Sequence, residues 1–399
     1  MTGSVWIHPT DVTDLGAGPA FGAVKEMGLG AISLAAAYHA GRFLLPHGED
    51  GAVRELEDGV TWYLPDPARW ERSRLKPKLA DACRGRDLCR EVRDAAVEAG
   101  LAVHAWVVAL HNSRLGEANP DCTIVNAFGE RYSWGLCPSH PDARVYAATL
   151  AEDAAARLQP AALELEAFGF MGFAHQSHHD KAGVRLDGAH DFLLSLCFCD
   201  HCARRMATRQ VEARRMAGTA RRLLKEFLER GGPAAGAPRL DRAEEIGPWL
   251  ARSLGAKECA GVLSVRRECV VSLVEEVRRR VPKEVKLRAM AHPSPFVTGA
   301  AIGGGLLALG DRVDAFVLNL FHGDAVRMRA EVKSARTAAT PSTRFAASLR
   351  AFPPDSEDEA QFLAKVDAVR AEGIEELCVY HFGLMPRASF AWVKKALSR

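Results

Sequence analysis

The sequence predicts an α/β protein folded as a single (β/α)8 barrel. A strand is expected at each of eight short apolar segments, and a helical pattern follows each one, which is typical of a parallel barrel. No G-x-G-x-x-G or G-x-x-x-x-G-K-[ST] motif follows the first strand, which disfavours a nucleotide-binding doubly wound sheet. The predicted strands cover residues 5–8, 31–36, 101–110, 161–168, 285–291, 313–320, 344–350 and 377–382.

The helices are predicted from their boundary signals. Ser139 is the expected N-cap of a helix over residues 141–158, with Asp142 at its third position, and Ser356 and Glu359 form an expected capping box further on. Other helical patterns cover residues 21–27, 86–98, 263–280, 300–309, 325–337 and 388–397.

The alternation breaks between strands four and five, at residues 169–262. This stretch contains His-rich, Cys-rich and basic helical segments but no predicted strand. We interpret it as an insertion within one barrel domain, residues 1–399. Surface helices are expected at 204–230, followed by a flexible Gly-, Ala- and Pro-rich connection.

Composition and charge exclude several classes of function. The chain of 399 residues is 48% hydrophobic and has a formal net charge of +2, which gives no electrostatic reason to expect nucleic acid or a membrane surface as partner. No run of eighteen apolar residues and no signal peptide is recognisable. We therefore expect a cytoplasmic protein with reduced or metal-bound thiols, either monomeric or a homo-oligomer.

Three cysteines, Cys197, Cys199 and Cys202, form a C-x-C-x-x-C pattern. Short turns let such thiolates converge on one zinc ion at about 2.3 Å. Cys137 is the predicted fourth ligand, because the helix N-terminus beside it favours a thiolate, and Cys122 is held in reserve. Four thiolates leave no position for water, so the expected zinc is structural. Buried free thiols or a redox pair are the alternative.

The residues that follow each strand are candidate substrate ligands, because the active site of this fold lies at the C-terminal rim. Histidine, aromatic and amide groups predominate there and suit a polyhydroxylated small molecule. The candidates are His8, Tyr38, His39, His111, Asn112, His292, Asn319, His322, Arg350, Tyr380 and His381.

Two glutamates of strand four, Glu164 and Glu166, are two residues apart and therefore point to one face. We expect both inside the barrel, where burial and a like-charged neighbour raise the pKa of one of them. Glu166, nearer the rim, is the predicted general acid, and Glu164 would orient it. A structural ion pair with Arg288 or Arg350 is the alternative.

The loop after strand four carries His175, His178, His179 and Asp180. Three imidazoles and a carboxylate could bind a metal ion, contact a sugar above Glu166, or be merely exposed. All three interpretations stay open at this point.

The Cys-Pro-Ser-His-Pro run at residues 137–141, the glutamate-bearing strand and the C-x-C-x-x-C run resemble the zinc-carrying bacterial β-galactosidases and related glycosidase-like barrels. The resemblance covers residues 137–202 closely and the barrel in outline. It implies a structural zinc bound by the four cysteines and Glu166 as acid/base. Leu165 stands where that family has Asn, and residues 344–350 contain no carboxylate where it has its nucleophilic Glu.

The sequence thus predicts a carbohydrate-active enzyme, a glycoside hydrolase in which Glu166 protonates the leaving oxygen. Asp180 or Glu164 would activate water or attack the sugar; a carboxyl separation of about 5 Å indicates retention and roughly 6.5–9.5 Å inversion. The alternatives are a metal-dependent lyase or isomerase that uses the His-rich loop, and a sugar-binding barrel without catalysis.

Overall fold

The computed structural model describes residues 1–47, 51–173 and 181–399. Its centre is a closed barrel of eight parallel strands, because the first strand pairs with both the second and the eighth. This confirms the predicted fold class. In chain order, barrel strands one to eight are Thr2–Ile7, Ala31–Tyr38, Ala102–Val108, Ala162–Glu166, Lys286–His292, Ala315–Asn319, Phe345–Arg350 and Glu376–Tyr380.

Helices surround the barrel and bury their apolar faces against it. In the part of the chain that the structure describes, none of them combines the length and apolarity needed to cross a membrane. The helices are Pro9–Leu15, Ala17–Glu26, Pro67–Trp70, Leu88–Glu98, Ser113–Ala118, Pro141–Leu158, Gly188–Leu194, Asp200–Thr208, Ala213–Arg230, Ala243–Leu254, Ala256–Arg280, Leu306–Leu309, Ala325–Thr337, Glu359–Ala371 and Ala388–Ser398.

Two long rim segments that the sequence predicts as loops contain hairpins. Gly41–Leu44 pairs with Val53–Leu56 after strand two, and Thr123–Val125 pairs with Arg131–Leu136 after strand three. Three of these strands have four residues or fewer and show no clear two-residue hydrophobic period. Arg131–Leu136 does alternate, with apolar Tyr132, Trp134 and Leu136, and the sequence analysis misses it. Further short strands are Val60–Thr61, Lys78–Leu79 and Ile302–Gly303.

Between strands four and five, the described residues 167–173 and 181–285 form helices and loops rather than strands. The basic stretch at 204–230 forms two helices, Asp200–Thr208 and Ala213–Arg230. Ala256–Arg280 begins earlier than expected, packs against Pro141–Leu158 and returns the chain to strand five.

The predicted cap at Ser139 is wrong. His140 is the N-cap of Pro141–Leu158, and its Nδ1 accepts a hydrogen bond of 3.2 Å from the backbone N–H of Asp142. Ser139 Oγ instead lies 3.0 Å from Cys269 Sγ in the core. The hydroxyl thus has a tertiary partner, and the next side chain takes over the cap.

The capping box predicted at Ser356 is wrong for the same reason. Asp358 caps Glu359–Ala371, whereas Ser356 Oγ donates to the backbone carbonyl of Arg350 at 2.6 Å. That bond ties the loop after strand seven to the end of the strand.

Candidate functional site

A buried ion pair lies deep in the barrel, at Glu164. Trp6 Nε1 and Ser33 Oγ donate to its two carboxylate oxygens at 2.5 and 3.0 Å, and His104 Nδ1 and Arg288 Nη1 lie 3.3 and 3.5 Å from Oε1. Burial alone would raise the pKa of Glu164, but the Arg288 charge and the contacts with His104 and Trp6 lower it to about 2. Glu164 is therefore an ionised carboxylate whose oxygens already have protein partners.

Arg288 extends this pair into a cluster. Its Nη1 lies 2.7 Å from Glu376 Oε1, and its Nη2 donates to Cys378 Sγ at 3.2 Å. Strands one to five and strand eight each contribute a residue to the cluster or to its hydrogen bonds. The cluster therefore links six of the eight barrel strands below the mouth.

Glu166 lies one layer higher, at the mouth, and only 8% of it is exposed. Trp106 Nε1 donates to Glu166 Oε2 at 2.6 Å. Burial raises the pKa of Glu166, the Trp106 hydrogen bond lowers it, and the Glu164 charge raises it; the net result is about 7. Glu166 can therefore hold or release a proton near neutral pH.

Aromatic rings surround Glu166. Trp6 stacks on Trp106 with ring centroids 5.4 Å apart, and the hydroxyls of Tyr38 and Tyr380 lie 3.4 Å apart. Burial raises the pKa of both tyrosines, and the Glu166 charge raises it further, so both hydroxyls stay protonated. The mouth thus combines ring faces with neutral hydroxyl groups.

Strand seven contributes a cation to the same mouth. The Arg350 guanidinium lies 4.2 Å from the ring centroid of Phe321 and 5.3 Å from that of Tyr380. Arg350 Nη1 also lies 3.5 Å from Asp355 Oδ2.

Several buried polar atoms around the mouth have no hydrogen-bond partner among the described residues. An unsatisfied buried donor or acceptor costs about 1–3 kcal/mol, so each of these atoms needs a partner such as a bound water or a ligand. They come from the ends of strands one, six, seven and eight, and they are His8 Nδ1 and Nε2, Asn319 Oδ1, Ser348 Oγ, Arg350 Nε and His381 Nε2.

The structure brings six of the sequence-predicted rim residues to this mouth: His8, Tyr38, Asn319, Arg350, Tyr380 and His381. His39 stacks on Tyr38 with centroids 4.2 Å apart, and the ring of His111 lies 4.2 Å from that of His39. These two histidines therefore border the mouth.

The remaining predicted rim residues lie elsewhere. Asn112 Oδ1 accepts the backbone N–H of Leu115 at 2.8 Å and caps Ser113–Ala118, so this side chain has a structural role. His322 Nε2 lies 3.2 Å from Glu331 Oε2, and His292 lines a cavity beside them. The residues of the His-rich loop, His175, His178, His179 and Asp180, lie outside the described residues.

Two carboxylates near the mouth escape the sequence analysis. Asp11 Oδ2 accepts the backbone N–H of His8 at 2.9 Å; burial raises its pKa to about 6, while this hydrogen bond and the Arg54 charge lower it. Asp355 is 5% exposed. Both follow a strand closely, but an acidic residue near a helix N-terminus suggests helix stabilisation first.

Four buried thiols converge at the start of Pro141–Leu158. The sulfurs of Cys137, Cys197, Cys199 and Cys202 all lie within 4.8 Å of one another, which is close enough to bind one metal ion. Cys137 Sγ lies 3.7 Å from Cys197 Sγ, 3.7 Å from Cys199 Sγ and 3.5 Å from Cys202 Sγ. A disulfide would need about 2.05 Å, so these are free thiols.

Cys122, the reserve ligand, belongs to a different cluster. Its Sγ lies 3.5 Å from His140 Nδ1, and Arg74 Nη2 donates to Cys122 Sγ at 2.9 Å and to Asp121 Oδ2 at 2.8 Å. Asp121, Cys122 and His140 are close enough together to hold a metal ion, and the Arg74 guanidinium already pairs with Asp121 there.

No family model and no curated protein matches this chain. Among solved structures it is similar to the catalytic domain of β-amylase from Paenibacillus polymyxa (TM-score 0.57, 11% identity, 100% of this chain and 98% of that chain). It is also similar to β-galactosidase from Marinomonas ef1, with a TM-score of 0.54 and 11% identity over 100% of this chain and 59% of that chain. A further similar structure is α-L-fucosidase isoenzyme 2 from Paenibacillus thiaminolyticus, with a TM-score of 0.52 and 10% identity over 100% of this chain and 48% of that chain. The chain spans about half the length of the last two. At these identities the similarity shows the fold alone, a (β/α)8 barrel.

Proposed function

We propose that the protein is a glycoside hydrolase with Glu166 as its general acid. The observation that supports this most is a carboxyl group buried at the mouth of a glycosidase-like barrel with a pKa raised to about 7. A catalytic acid needs a pKa near the working pH, so that it is protonated before the reaction and can release its proton during it. Trp106 holds one carboxyl oxygen, which fixes the direction of the other.

The proposed substrate is a carbohydrate. Tyr380 and Phe321, which are not fully buried, offer ring surfaces against which the apolar face of a sugar can pack. The unpartnered atoms of Asn319 and Ser348 are placed to exchange hydrogen bonds with sugar hydroxyls. A polyhydroxylated ligand satisfies both kinds of group at once.

We propose Asp355 as the second carboxylate. Glu164 lies too deep, and its oxygens are engaged by Trp6, Ser33 and Arg288. Asp355 follows strand seven, and its buried Oδ2 has no hydrogen bond among the described residues, only the ion pair with Arg350. In this role the carboxylate attacks the sugar or activates water, while Glu166 protonates the leaving oxygen.

Asp355→Asn is expected to lower kcat by about 10²-fold or more, because an amide neither attacks nor accepts a proton. The measurement is kcat on whichever 4-nitrophenyl glycoside the protein hydrolyses. Asp358→Asn is the matched control: Asp358 caps the next helix and asparagine is an equally good N-cap, so kcat should stay at the wild-type level. A wild-type kcat in Asp355→Asn would show that Asp355 is not the second catalytic carboxylate, and Asp180→Asn would then be tested.

We also propose that Cys137, Cys197, Cys199 and Cys202 bind a structural zinc ion. Four zinc–sulfur bonds of about 2.3 Å place the sulfurs about 3.8 Å apart, close to the distances of 3.5–3.7 Å from Cys137. The guanidinium of Arg266 is buried nearby; burial lowers its pKa to about 10, while the cysteine charges raise it. Four thiolates would fill the coordination shell, so the ion supports the fold and takes no part in the reaction.

Elemental analysis of the purified protein is expected to find one zinc ion per chain. Cys199→Ser should lose it, whereas Cys259→Ser should keep it, because Cys259 is a buried thiol outside the four-cysteine cluster. The double variant His178→Ala, His179→Ala should also retain the ion. A metal that disappears with the histidines and stays in Cys199→Ser would instead support the metal-dependent lyase or isomerase alternative.

A further inference from the structure

A cavity of about 830 Å³ lies beside the mouth, between the rim and the helices that follow strand four. Its volume is typical of sites that bind small ligands. The walls come from His292, the loop 293–298, the N-terminal part of Ala243–Leu254 and one face of Ala325–Thr337. None of these residues has a part in the proposed reaction.

Strand five leads directly from the mouth into this cavity. Met290 and His292 are two residues apart on one strand and therefore point to the same side. Met290 Sδ accepts a hydrogen bond of 3.7 Å from Asn319 Nδ2 at the mouth, whereas His292 lines the cavity. The mouth and the cavity are therefore contacted by side chains that lie two residues apart on strand five.

The chain that leaves Glu166 touches the segment that forms the cavity wall. Ala167, the next residue, donates its backbone N–H to the carbonyl of Ala300 at 2.8 Å, and Gly299 donates to the carbonyl of Phe170 at 3.1 Å. These backbone hydrogen bonds therefore fix the position of the cavity wall relative to the proposed acid.

The charged groups that line the cavity are Asp191, Asp241, Glu244, Glu331, Arg242 and Arg327. Arg327 Nε lies 2.8 Å from Glu331 Oε1, and Arg242 Nη1 lies 3.5 Å from Glu244 Oε1. The carboxylates outnumber the guanidinium groups, which disfavours an anionic ligand, and their oxygens can accept hydrogen bonds from hydroxyl groups. Phe296 adds an apolar ring. This combination suits a neutral ligand with many hydroxyl groups.

We propose that the cavity binds further sugar units of the same substrate, so that the protein acts on an oligosaccharide or polysaccharide rather than on a single-sugar glycoside. This inference rests on the proposed glycoside hydrolase function. It assigns the segments after strands four and five a role in substrate binding, with the reacting bond at Glu166 and the adjoining units beside His292.

The test blocks the cavity without changing the mouth. Ala330 is exposed on Ala325–Thr337 and lines the cavity, so Ala330→Trp fills it. Lys333→Trp is the matched control, because Lys333 is exposed on the same helix but is not part of the lining. The probes are galactan, cellulose, chitin and starch oligosaccharides of one to six units and the 4-nitrophenyl glycosides of their sugars.

Ala330→Trp is expected to raise KM for chains of three or more units. The factor of this increase should be at least ten times the factor by which KM rises for the 4-nitrophenyl glycoside. Lys333→Trp should leave both values at the wild-type level. Calorimetry in the Glu166→Gln background should show the same loss of oligosaccharide affinity, independent of turnover.

Two other outcomes are distinguishable. Wild-type KM and Kd for long chains in Ala330→Trp, or a KM that does not depend on chain length, would reject the cavity proposal and leave the glycoside hydrolase proposal intact. If wild-type protein neither hydrolyses nor binds any probe, both proposals fail together.

Discussion

Replacing Glu166 with glutamine is expected to lower kcat by about 10²–10⁴-fold, the usual contribution of a general acid. Glutamine keeps the size of the side chain and can still accept the hydrogen bond from Trp106, but it has no proton to give to the leaving oxygen. The measurement is kcat on an unactivated oligosaccharide near pH 6, where wild-type Glu166, with a pKa of about 7, is mostly protonated.

The loss should depend on the leaving group, which separates acid catalysis from a merely structural effect. A dinitrophenolate departs without protonation, so Glu166→Gln should lose far less activity on a dinitrophenyl glycoside than on an oligosaccharide. Glu117→Gln, an exposed glutamate on the rim helix Ser113–Ala118, serves as the control and should be active on both. Equal losses on both substrates would argue against the acid role. Binding without turnover in wild type, unchanged in Glu166→Gln, would favour the non-catalytic sugar-binding barrel.

The raised pKa of Glu166 also predicts that activity and stability both fall as the pH rises. Activity requires the protonated acid and should fall as the pH rises through about 7. Since the folded pKa exceeds the ordinary value of 4.5, ionisation of Glu166 opposes folding, and stability is lost as the pH rises from 4.5 through about 7. Glu166→Gln has no such group, so its Tm should exceed that of wild type by more at about pH 8 than at about pH 5.

Local sequence patterns predict the barrel well because each strand is buried and each crossover helix has an apolar face. The predicted strands at 161–168 and 344–350 overlap the observed Ala162–Glu166 and Phe345–Arg350. The two-residue spacing of Glu164 and Glu166 likewise predicts that both enter the barrel, because side chains alternate along a strand.

The sequence analysis names Arg288 and Arg350 as possible partners of these glutamates, but it does not assign which arginine pairs with which carboxylate. Arg288 reaches Glu164 across neighbouring strands, and Arg350 reaches Asp355 through a turn. Such contacts depend on register and loop geometry, which the spacing of residues in the sequence does not specify. The convergence of the four cysteines was predictable because three of them share one short turn and the fourth precedes a helix.

The largest effect on stability is expected from Glu164→Gln. Removing one member of a buried ion pair leaves the other charge uncompensated and typically costs about 3–5 kcal/mol. Here it leaves the Arg288 guanidinium with Glu376 as its remaining carboxylate partner, and Glu376 is about one-third exposed. Urea unfolding at neutral pH measures the free energy of unfolding. Glu376→Gln is the matched control and should cost no more than about 1 kcal/mol.

A double-mutant cycle with Arg288→Met separates the pair from its surroundings. If the cost comes from an unpaired buried charge, the double variant Glu164→Gln, Arg288→Met should be less destabilised than the sum of the two single variants. The pH dependence gives an independent check. Because the pKa of Glu164 is lowered from 4.5 to about 2, its stabilisation is complete above pH 4.5 and is lost as the pH falls towards about 2. The stability difference between wild type and Glu164→Gln should therefore shrink in acid, and a difference that stays constant would show that the carboxylate charge is not its cause.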